Sequence, residues 1–432
     1  PPDAPYIFKH ALTQDAAYDG LLLSRRRDLH AEVVTTIEQL HSASLDESVE
    51  LLAYHAQRGE RWEKSLQYCR LAGRKANERS AYSEALNFLE AGLQAAKKVP
   101  ENENNLRAAI DIRLSMRPSL GAFGQYSRFL DMLSEAEAAA RSLGDDYTTA
   151  HVSVEKTHVL YQTGHAVEGV EIGHKAVAMA RAVDHQRLIV GAAANLAMAL
   201  FFRGELREAL AVATEHADAL KTTFRHDQLG TTGTSSVNWL ANLAGMNTLL
   251  GELETARGFG EEAMMIAEET GKPFDIAMAG HWNGFIHISM GDVPAALRTL
   301  ERTFQIVEEH GLEFLYPYAG IHLGTACALT DQHDRADALL TSAARRAEKL
   351  DLVLAHIWAL ALLASARIRA GVPEAAVAHA SSALASAREH GFQWLQILAL
   401  QQLGHGTSLL AATRFEDAED FYLQAIGLAD RL

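Results

Sequence analysis

Histidine is the residue type with the most chemical capacity in this sequence. The 432 residues include 20 histidines but only two cysteines, Cys69 and Cys327. A metal site needs closely spaced ligands, such as a His-Glu-x-x-His pair or cysteines with histidine, and neither spacing occurs. Several histidines, including His310 and His390, precede a glycine where we expect a helix to end, and a positive charge there interacts favourably with the helix dipole. We therefore predict no metal site.

Two glycine-containing segments could hold a phosphate or a nucleophile. Residues 230–236 (GTTGTSS) lack the lysine of a phosphate-binding loop, which favours a connection between helices. Residues 404–407 (GHGT) have no serine at the position of a nucleophile elbow. We predict no catalytic residues and a region that is not itself an enzyme. A freestanding enzyme with a pocket is the weaker alternative.

The remaining candidates are side chains that a helical repeat would place on one face. Nine times a turn residue is followed five positions later by alanine or a substitute for it, at intervals of 38 to 47 residues. Small residues also recur seven positions before most of these turns, so two antiparallel helices could approach closely there. The turn residues are Ser80, Gly124, Gly164, Gly204, Gly251, Gly291, His333, Gly371 and Thr413.

A second series of breaks supports the same period. Breaks at Gly144, Asp184, Gly271, Gly311, Asp351 and Gly391 are separated by 40 residues or, once, by about twice that. Apolar residues between the breaks recur at spacings of three and four, which is helical periodicity. The sequence therefore predicts an all-α fold, a right-handed superhelix of about ten tetratricopeptide-like helix hairpins with units of about 40 residues.

In such a superhelix the first helix of each hairpin lines the concave face. Positions thirteen, ten, six and three before each turn residue should point inward. Their aromatic and imidazole groups would suit a protein, a peptide or a small ligand. The alternative is that tight superhelical packing buries this face. The candidate partner-binding residues are His151, His158, Tyr161, Phe201, Asn238, His281, Phe285 and Trp358.

Composition excludes several classes of partner. The formal net charge is −16, and no basic cluster occurs apart from Arg25–Arg27, which we expect to form a solvated helix face; nucleic acid is therefore not an expected partner. No apolar run is long enough for a membrane span. Two cysteines far apart in sequence favour a reducing compartment, so we expect a cytoplasmic location.

The repeats resemble tetratricopeptide repeats over about residues 50–432. The string YIFKHAL at residues 6–12, followed by Arg25–Arg27, resembles the end of the winged-helix segment in bacterial signalling ATPases of the STAND class. The likeness is greatest to STAND proteins that follow a class III adenylate or guanylate cyclase domain, and AYSEA at residues 81–85 matches their helical tail. This resemblance implies that His10 contacts nucleotide phosphate in the intact protein. ATP or ADP would then be a cofactor of the parent protein, and this region would carry none.

The resemblance also implies an organisation and a function. We expect residues 1–40 to end a winged-helix, ATPase-associated segment and residues 41–432 to form the repeat array. Because the chain begins with Pro1, we expect it to be part of a longer protein. Its expected role is a non-catalytic sensor or scaffold that binds a partner and regulates upstream ATPase and cyclase domains in cis. The sensor region of a LuxR/MalT-like transcription regulator is the alternative.

Overall fold

The computed structural model describes residues 18–41, 44–227, 232–410 and 415–430, and all regular structure in them is helical. The chain divides into two compact units, Pro1–Met116 and Arg117–Leu432. The boundary expected after residue 40 stays a prediction. His10 and the YIFKHAL string lie outside the described residues.

The first unit contains α1 to α5. Its buried core, which includes Leu52, Cys69 and Ala72, joins the first three helices. Each arginine of Arg25–Arg27, at the start of α1, lies within 4 Å of a carboxylate, and Arg25 and Arg27 are exposed. The helices are α1 Leu23–Leu40, a short 3-10 helix Leu45–Ser48, α2 Val49–Arg58, α3 Trp62–Glu78, α4 Tyr82–Ala96 and α5 Glu103–Ser115.

The second unit contains α6 to α22. Pro273, Pro294 and Pro373 each stand at the first or second position of a helix, where the missing N–H removes no intrahelical hydrogen bond. The helices are α6 Arg117–Ala122, α7 Tyr126–Ser142, α8 Asp146–Gln162, α9 Ala166–Ala182, α10 Gln186–Arg203, α11 Leu206–Glu215, α12 Ala217–Lys221, α13 Ser235–Leu249, α14 Leu253–Thr270, α15 Pro273–Ser289, α16 Val293–Glu309, α17 Leu315–Leu329, α18 His333–Lys349, α19 Val353–Arg369, α20 Pro373–Glu389, α21 Gln393–Leu410 and α22 Phe415–Ala429.

A left-handed residue ends most of these helices. From Gly124 to Gly204, and again from Gly251 to Gly391, a residue with positive φ recurs every twenty positions. Most of them are glycines, which adopt this conformation without steric cost. Both predicted series of breaks coincide with these residues, apart from the two positions considered next. The prediction of an all-α array of tetratricopeptide-like hairpins is confirmed.

The predicted turn at His333 was wrong by two residues. The residue with positive φ is Asp331 (φ 58°), and His333 is the first residue of α18. Alanine stands five positions after both residues, at 336 and 338, so the spacing does not distinguish them. Aspartate can also occupy the left-handed region because its short polar side chain bonds locally. The predicted turn at Thr413 lies outside the described residues.

The first helices of the hairpins lie inside the second unit. Almost every residue of α17 and most of α19 are buried, whereas α16 and α18 each keep an exposed face. The helices cross closely because the crossing residues are small. At Gly284 of α15, for example, an added Cβ would overlap the side chain of Leu300 on α16.

The superhelix of the second unit closes on itself within one turn. The N–H of Phe314 donates to the carbonyl of Ala122 at 3.1 Å, and Nδ1 of His390 lies 3.1 Å from the carbonyl oxygen of Gly164. The Ser127 hydroxyl donates to Asp351 at 3.2 Å. Early hairpins therefore contact hairpins more than 180 positions later. None of the helices in the described ranges has the length and hydropathy that a bilayer crossing requires.

Gly284→Ala tests the close helix crossing. We expect it to lower the free energy of unfolding by about 1–3 kcal/mol, because the Leu300 side chain must move to admit the methyl group. Gly258→Ala is the matched control, since Gly258 is also helical but an added Cβ has no neighbour within 4 Å. That substitution should stabilise by up to about 1 kcal/mol. Urea denaturation of both variants measures the difference, and equal midpoints would contradict the crossing.

Candidate functional site

A cavity of about 140 Å³ lies among the first helices of the second unit. Most of its lining comes from α8, α10, α13, α15, α17 and α19, with additional residues from α6, α7 and α12. An engineered apolar cavity of about 150 Å³ is known to hold benzene. The cavity therefore has room for one ring-sized group.

Aromatic and imidazole rings form a closed circuit at this cavity. Consecutive rings have centroids 4.8 to 6.2 Å apart, within the range of favourable aromatic contacts. All the rings except Trp394 line the cavity. In order, the circuit is Tyr126, His158, Tyr161, Phe202, Phe201, Trp394, Trp358, Trp282, His281, Tyr318, Phe314 and again Tyr126.

The closure of the superhelix completes this circuit. Tyr126 meets Phe314 at 5.9 Å, and Phe201 meets Trp394 at 6.0 Å between ring centroids. Both contacts join an early hairpin to a late one. The rings within each half are brought together by neighbouring first helices. The cavity is thus lined by side chains from both early and late hairpins.

Most of the candidate residues from the sequence lie at this cavity. His158, Tyr161, Phe201, Asn238, His281 and Trp358 line it. His151 does not line the cavity; its Nε2 lies 3.5 Å from Oε1 of Glu155. Phe285 packs behind the wall, with its ring 5.0 Å from His322 and 5.7 Å from Trp358. That any of these eight candidate residues binds a partner stays a prediction.

Sequence reasoning missed several lining residues. Tyr318 was missed because of the error at His333: thirteen positions before the true turn residue, Asp331, is Tyr318. Arg117 stands seven positions before Gly124, which is not a counted position, and Tyr126 follows that turn. Trp239 lies one position beyond a counted residue, Asn238. Of these four residues, only Tyr318 stands at a counted position.

A buried carboxylate fixes the segment that enters α13. Asp275, at the start of α15, is fully buried and accepts hydrogen bonds from the Thr234 amide at 2.8 Å and the Thr234 hydroxyl at 2.6 Å. The Thr270 hydroxyl donates to the same carboxylate at 3.0 Å. Thr232 and Ser235, on either side of Thr234, line the cavity. The described part of the glycine-rich segment is therefore a connection between helices, as predicted.

Arg117 is the charged residue in the lining. It is buried, and its Nε lies 2.5 Å from Oε2 of the buried Glu155, at the distance of an ion pair but without the angle of a hydrogen bond. A buried guanidinium beside a buried carboxylate leaves the pair with no net charge. The Arg117 Nη1 atom has no hydrogen-bond partner among the described residues.

Three further lining side chains carry buried polar atoms without a partner in the described part of the chain. They are the amide oxygen of Gln162, the indole N–H of Trp239 and Nδ1 of His281. Leaving a buried polar group unpaired costs about 1–3 kcal/mol. These atoms have almost no accessible surface, so they lie within the wall and do not face the cavity.

The buried histidines near the cavity are neutral. Burial holds the pKa of His158 and of His281 well below 6.5, with a smaller effect from Arg117 on His158 and from His322 on His281. Burial lowers the pKa of His322 to about 3. Burial likewise raises the phenol pKa of Tyr126. The wall therefore presents neutral rings at physiological pH.

Metal and thiol chemistry have no visible basis in the described ranges. No group of three His, Cys, Asp or Glu side chains there is placed to hold a metal ion. Cys69 and Cys327 are both free and buried. Burial raises the thiol pKa of Cys69 to about 11, which disfavours the nucleophilic thiolate. The arrangement is suited to binding rather than to covalent chemistry.

No protein-family model matches the chain. A 98-residue segment of this chain is 31% identical to an uncharacterised protein of Rhizobium meliloti (strain 1021). The matched segment makes up 23% of this chain and 10% of that protein. The chain thus matches about a tenth of this relative's length.

Several solved structures have a similar fold. A Rap protein complexed with competence and sporulation factor superposes with a TM-score of 0.64 at 14% identity, covering 85% of this chain and 98% of that one. NprR in complex with its cognate peptide NprX gives a TM-score of 0.56 at 14% identity, covering 85% and 99%. A STAND protein with a tetratricopeptide repeat sensor from Pyrococcus horikoshii gives 0.47 at 13% identity, covering 76% and 47%, too weak a match to support an argument. These identities show a shared fold alone.

His322→Phe tests the neutral buried imidazole. Because the folded pKa of about 3 lies below the unfolded value of 6.5, unfolding takes up a proton between these values, and stability falls as the pH falls below 6.5. We expect the loss of unfolding free energy from pH 6.5 to 4.5 to be smaller in His322→Phe by about 2–3 kcal/mol. Urea denaturation at both pH values measures it. An unchanged pH dependence would contradict the assignment.

Proposed function

We propose that this region is a non-catalytic helical-repeat sensor that binds a peptide or a small ligand in the aromatic-lined cavity. The observation that carries the proposal is the cavity of about 140 Å³ that ten of the eleven rings of the circuit line. A bound apolar group would contact those rings. Pockets that bind small molecules are lined mainly by apolar and aromatic side chains.

Two structures of similar fold support a peptide or peptide-like ligand. The Rap protein is complexed with competence and sporulation factor, and NprR is in complex with its cognate peptide. The proposal for this chain rests on its own cavity, and the similar folds show that such an array is compatible with peptide binding. The neutral, ring-lined wall would accept one apolar side chain of a peptide.

We further propose that ligand binding is transmitted to other domains of the parent protein. A superhelix whose early and late hairpins contact each other can change curvature when a ligand bridges them. The resemblance of residues 6–12 to a STAND winged-helix end supports an upstream ATPase, with His10 at the nucleotide, and a nucleotide cyclase as the regulated domains. The buried, unpaired Cys69 and Cys327 are compatible with a reducing cytoplasm.

Gly191→Leu tests the cavity as the ligand site. Gly191 lines the cavity, and a Cβ added there meets only Val154 at 3.9 Å, so the variant should fold while its side chain fills the space. Fractions of the native cell extract should raise the melting temperature of the wild-type protein by several degrees, because a ligand that binds only the folded state stabilises it. The shift should be lost in Gly191→Leu.

Gly258→Leu is the matched control, because it adds the same side chain to an exposed helical glycine with no neighbour within 4 Å of the added Cβ. It should retain the full ligand shift. No shift of the wild-type protein by any fraction, or a shift that Gly191→Leu retains, would contradict the proposed function.

A further inference from the structure

We propose that the outer face of α22 is a docking surface for an amphipathic helix of a partner protein that carries a basic residue. This end face consists of Phe415, Glu419, Leu423, Ile426 and Ala429, all of which are exposed. None of these residues lines the cavity, so the end face is separate from the proposed ligand site. The inference goes beyond the proposed function and does not depend on it.

The repeat shows which positions of a second helix meet the next hairpin. One buried alanine serves as a reference, because it recurs as Ala336 in α18, Ala376 in α20 and Ala418 in α22. In α18 and α20, positions one, eight and eleven after the reference alanine are the ones at which contacts with the following first helix can be followed. In α22 these positions are occupied by Glu419, Ile426 and Ala429.

In α18 the following first helix, α19, covers these positions. The Arg367 side chain of α19 donates from Nε to Asp337 at 2.7 Å. The Nδ1 atom of His356, also on α19, lies 3.0 Å from the carbonyl oxygen of Ala344. Asp337 and Ala344 stand one and eight positions after the reference alanine, so both lie in the contact between successive hairpins.

α21 covers α20 in the same way. A Cβ added to Gly406 of α21 would lie 2.8 Å from the Val377 side chain of α20. The side-chain amide of Gln396 on α21 donates to the carbonyl of Ala387 at 3.3 Å. Val377 and Ala387 stand one and eleven positions after the reference alanine. The same surface of a second helix therefore receives the next first helix in both hairpins.

The corresponding surface of α22 is open. Ile426 is 57% exposed, whereas Ala344 and Leu384, at the same position in α18 and α20, are 6% and 5% exposed. Glu419 and Ala429 are exposed as well. The end face thus continues the interface by which the hairpins stack. Because a helix occupies that interface in α18 and in α20, a helix is the occupant that the end face fits.

Apolar side chains extend the end face beyond the stacking positions. Phe415 and Leu423 are more than half exposed. At the position of Leu423, α18 and α20 have hydroxyl residues, Thr341 and Ser381. Phe415, Leu423 and Ile426 are spaced by eight and three residues, which places them on one side of a helix. Large apolar side chains grouped on an exposed surface mark an interaction site.

The charge of α22 indicates what the partner helix carries. Residues 415–429 contain no lysine or arginine. Glu419 stands at the position of Asp337, whose carboxylate pairs with Arg367 of the covering helix. An arginine in the last turn of the partner helix would pair with Glu419 in the same way. The exposed carboxylates of α22 are Glu416, Asp417, Glu419 and Asp420.

The same charge argues against a second copy of this chain as the occupant. A symmetric contact between two α22 helices would bring together two surfaces that are rich in carboxylates. Neither helix has a basic side chain to pair with them. Like charges placed opposite each other across an interface are unfavourable. A partner helix with a basic residue has the complementary charge.

A peptide with the sequence of α19, residues 353–369, tests the surface, because this helix covers the equivalent face of α18. We expect the fluorescein-labelled peptide to bind the full chain, as measured by fluorescence anisotropy. Ile426→Glu should weaken binding at least tenfold, because it places an unpaired charge in the apolar contact. Absence of binding to the wild-type chain would overturn the proposal.

Met265→Glu is the matched control. Met265 and Ile426 are both more than half exposed on helices, so both variants should fold, and both add one negative charge. Met265→Glu and the cavity-filling Gly191→Leu should bind the peptide as the wild type does. Equal weakening by Ile426→Glu and Met265→Glu would mean that the peptide does not bind at the end face.

A charge exchange tests the ion pair with Glu419. Glu419→Lys should weaken binding of the α19 peptide about threefold, the size of effect that an exposed ion pair gives. A peptide with Arg367→Glu should recover that loss when it binds the Glu419→Lys chain. If the exchanged pair bound no better than the mismatched pairs, the preference for a basic partner helix would be wrong.

Sedimentation velocity tests the second copy as the occupant. We expect the chain alone to sediment in the same way as Ile426→Glu over a hundredfold range of concentration. A dimer that Ile426→Glu dissociates and Met265→Glu retains would show that the end face binds a second copy, and it would overturn the proposal.

Discussion

The structure of the second unit depends on a left-handed residue at every twentieth position over most of the array. This residue ends most helices at a similar length, so successive helices turn back after about the same number of residues. Small residues such as Gly284 then allow the helices to cross closely. Equal hairpins in close contact accumulate a constant rotation, which brings Ala122 to Phe314 and Gly164 to His390. The ring-lined cavity is a consequence of that regular spacing.

The contacts between early and late hairpins also explain why the inner face is buried and yet contains polar atoms without hydrogen-bond partners. Rings from early and late hairpins fill most of the interior, so Trp358 and His281 are almost inaccessible to water. The filling stops short of complete packing, and polar atoms of Gln162 and Trp239 remain without partners in the described chain. From the sequence, partner binding and ordinary packing were both possible for this face. In the structure, the rings pack against each other and still leave a cavity that they line.

Much of this fold could be predicted from the sequence, because glycine and alanine positions report directly on turns and helix crossings. Counting back from the turn residues correctly predicted that His158, Phe201 and Trp358 point inward. The count failed at residue 331, where the turn residue is aspartate and not glycine, and Tyr318 was therefore not predicted. The partnership of Arg117 with Glu155 could not be predicted, since it depends on side-chain positions rather than on period. The closing contacts join residues more than 180 positions apart and have no local sequence signal.

A crystal structure of the full chain soaked with benzene tests the central claim most directly. The account predicts one bound molecule in the cavity, in contact with the rings of Tyr161, Phe201 and Trp358. A filled interior with no room between the rings, or benzene bound only elsewhere on the protein, would contradict it.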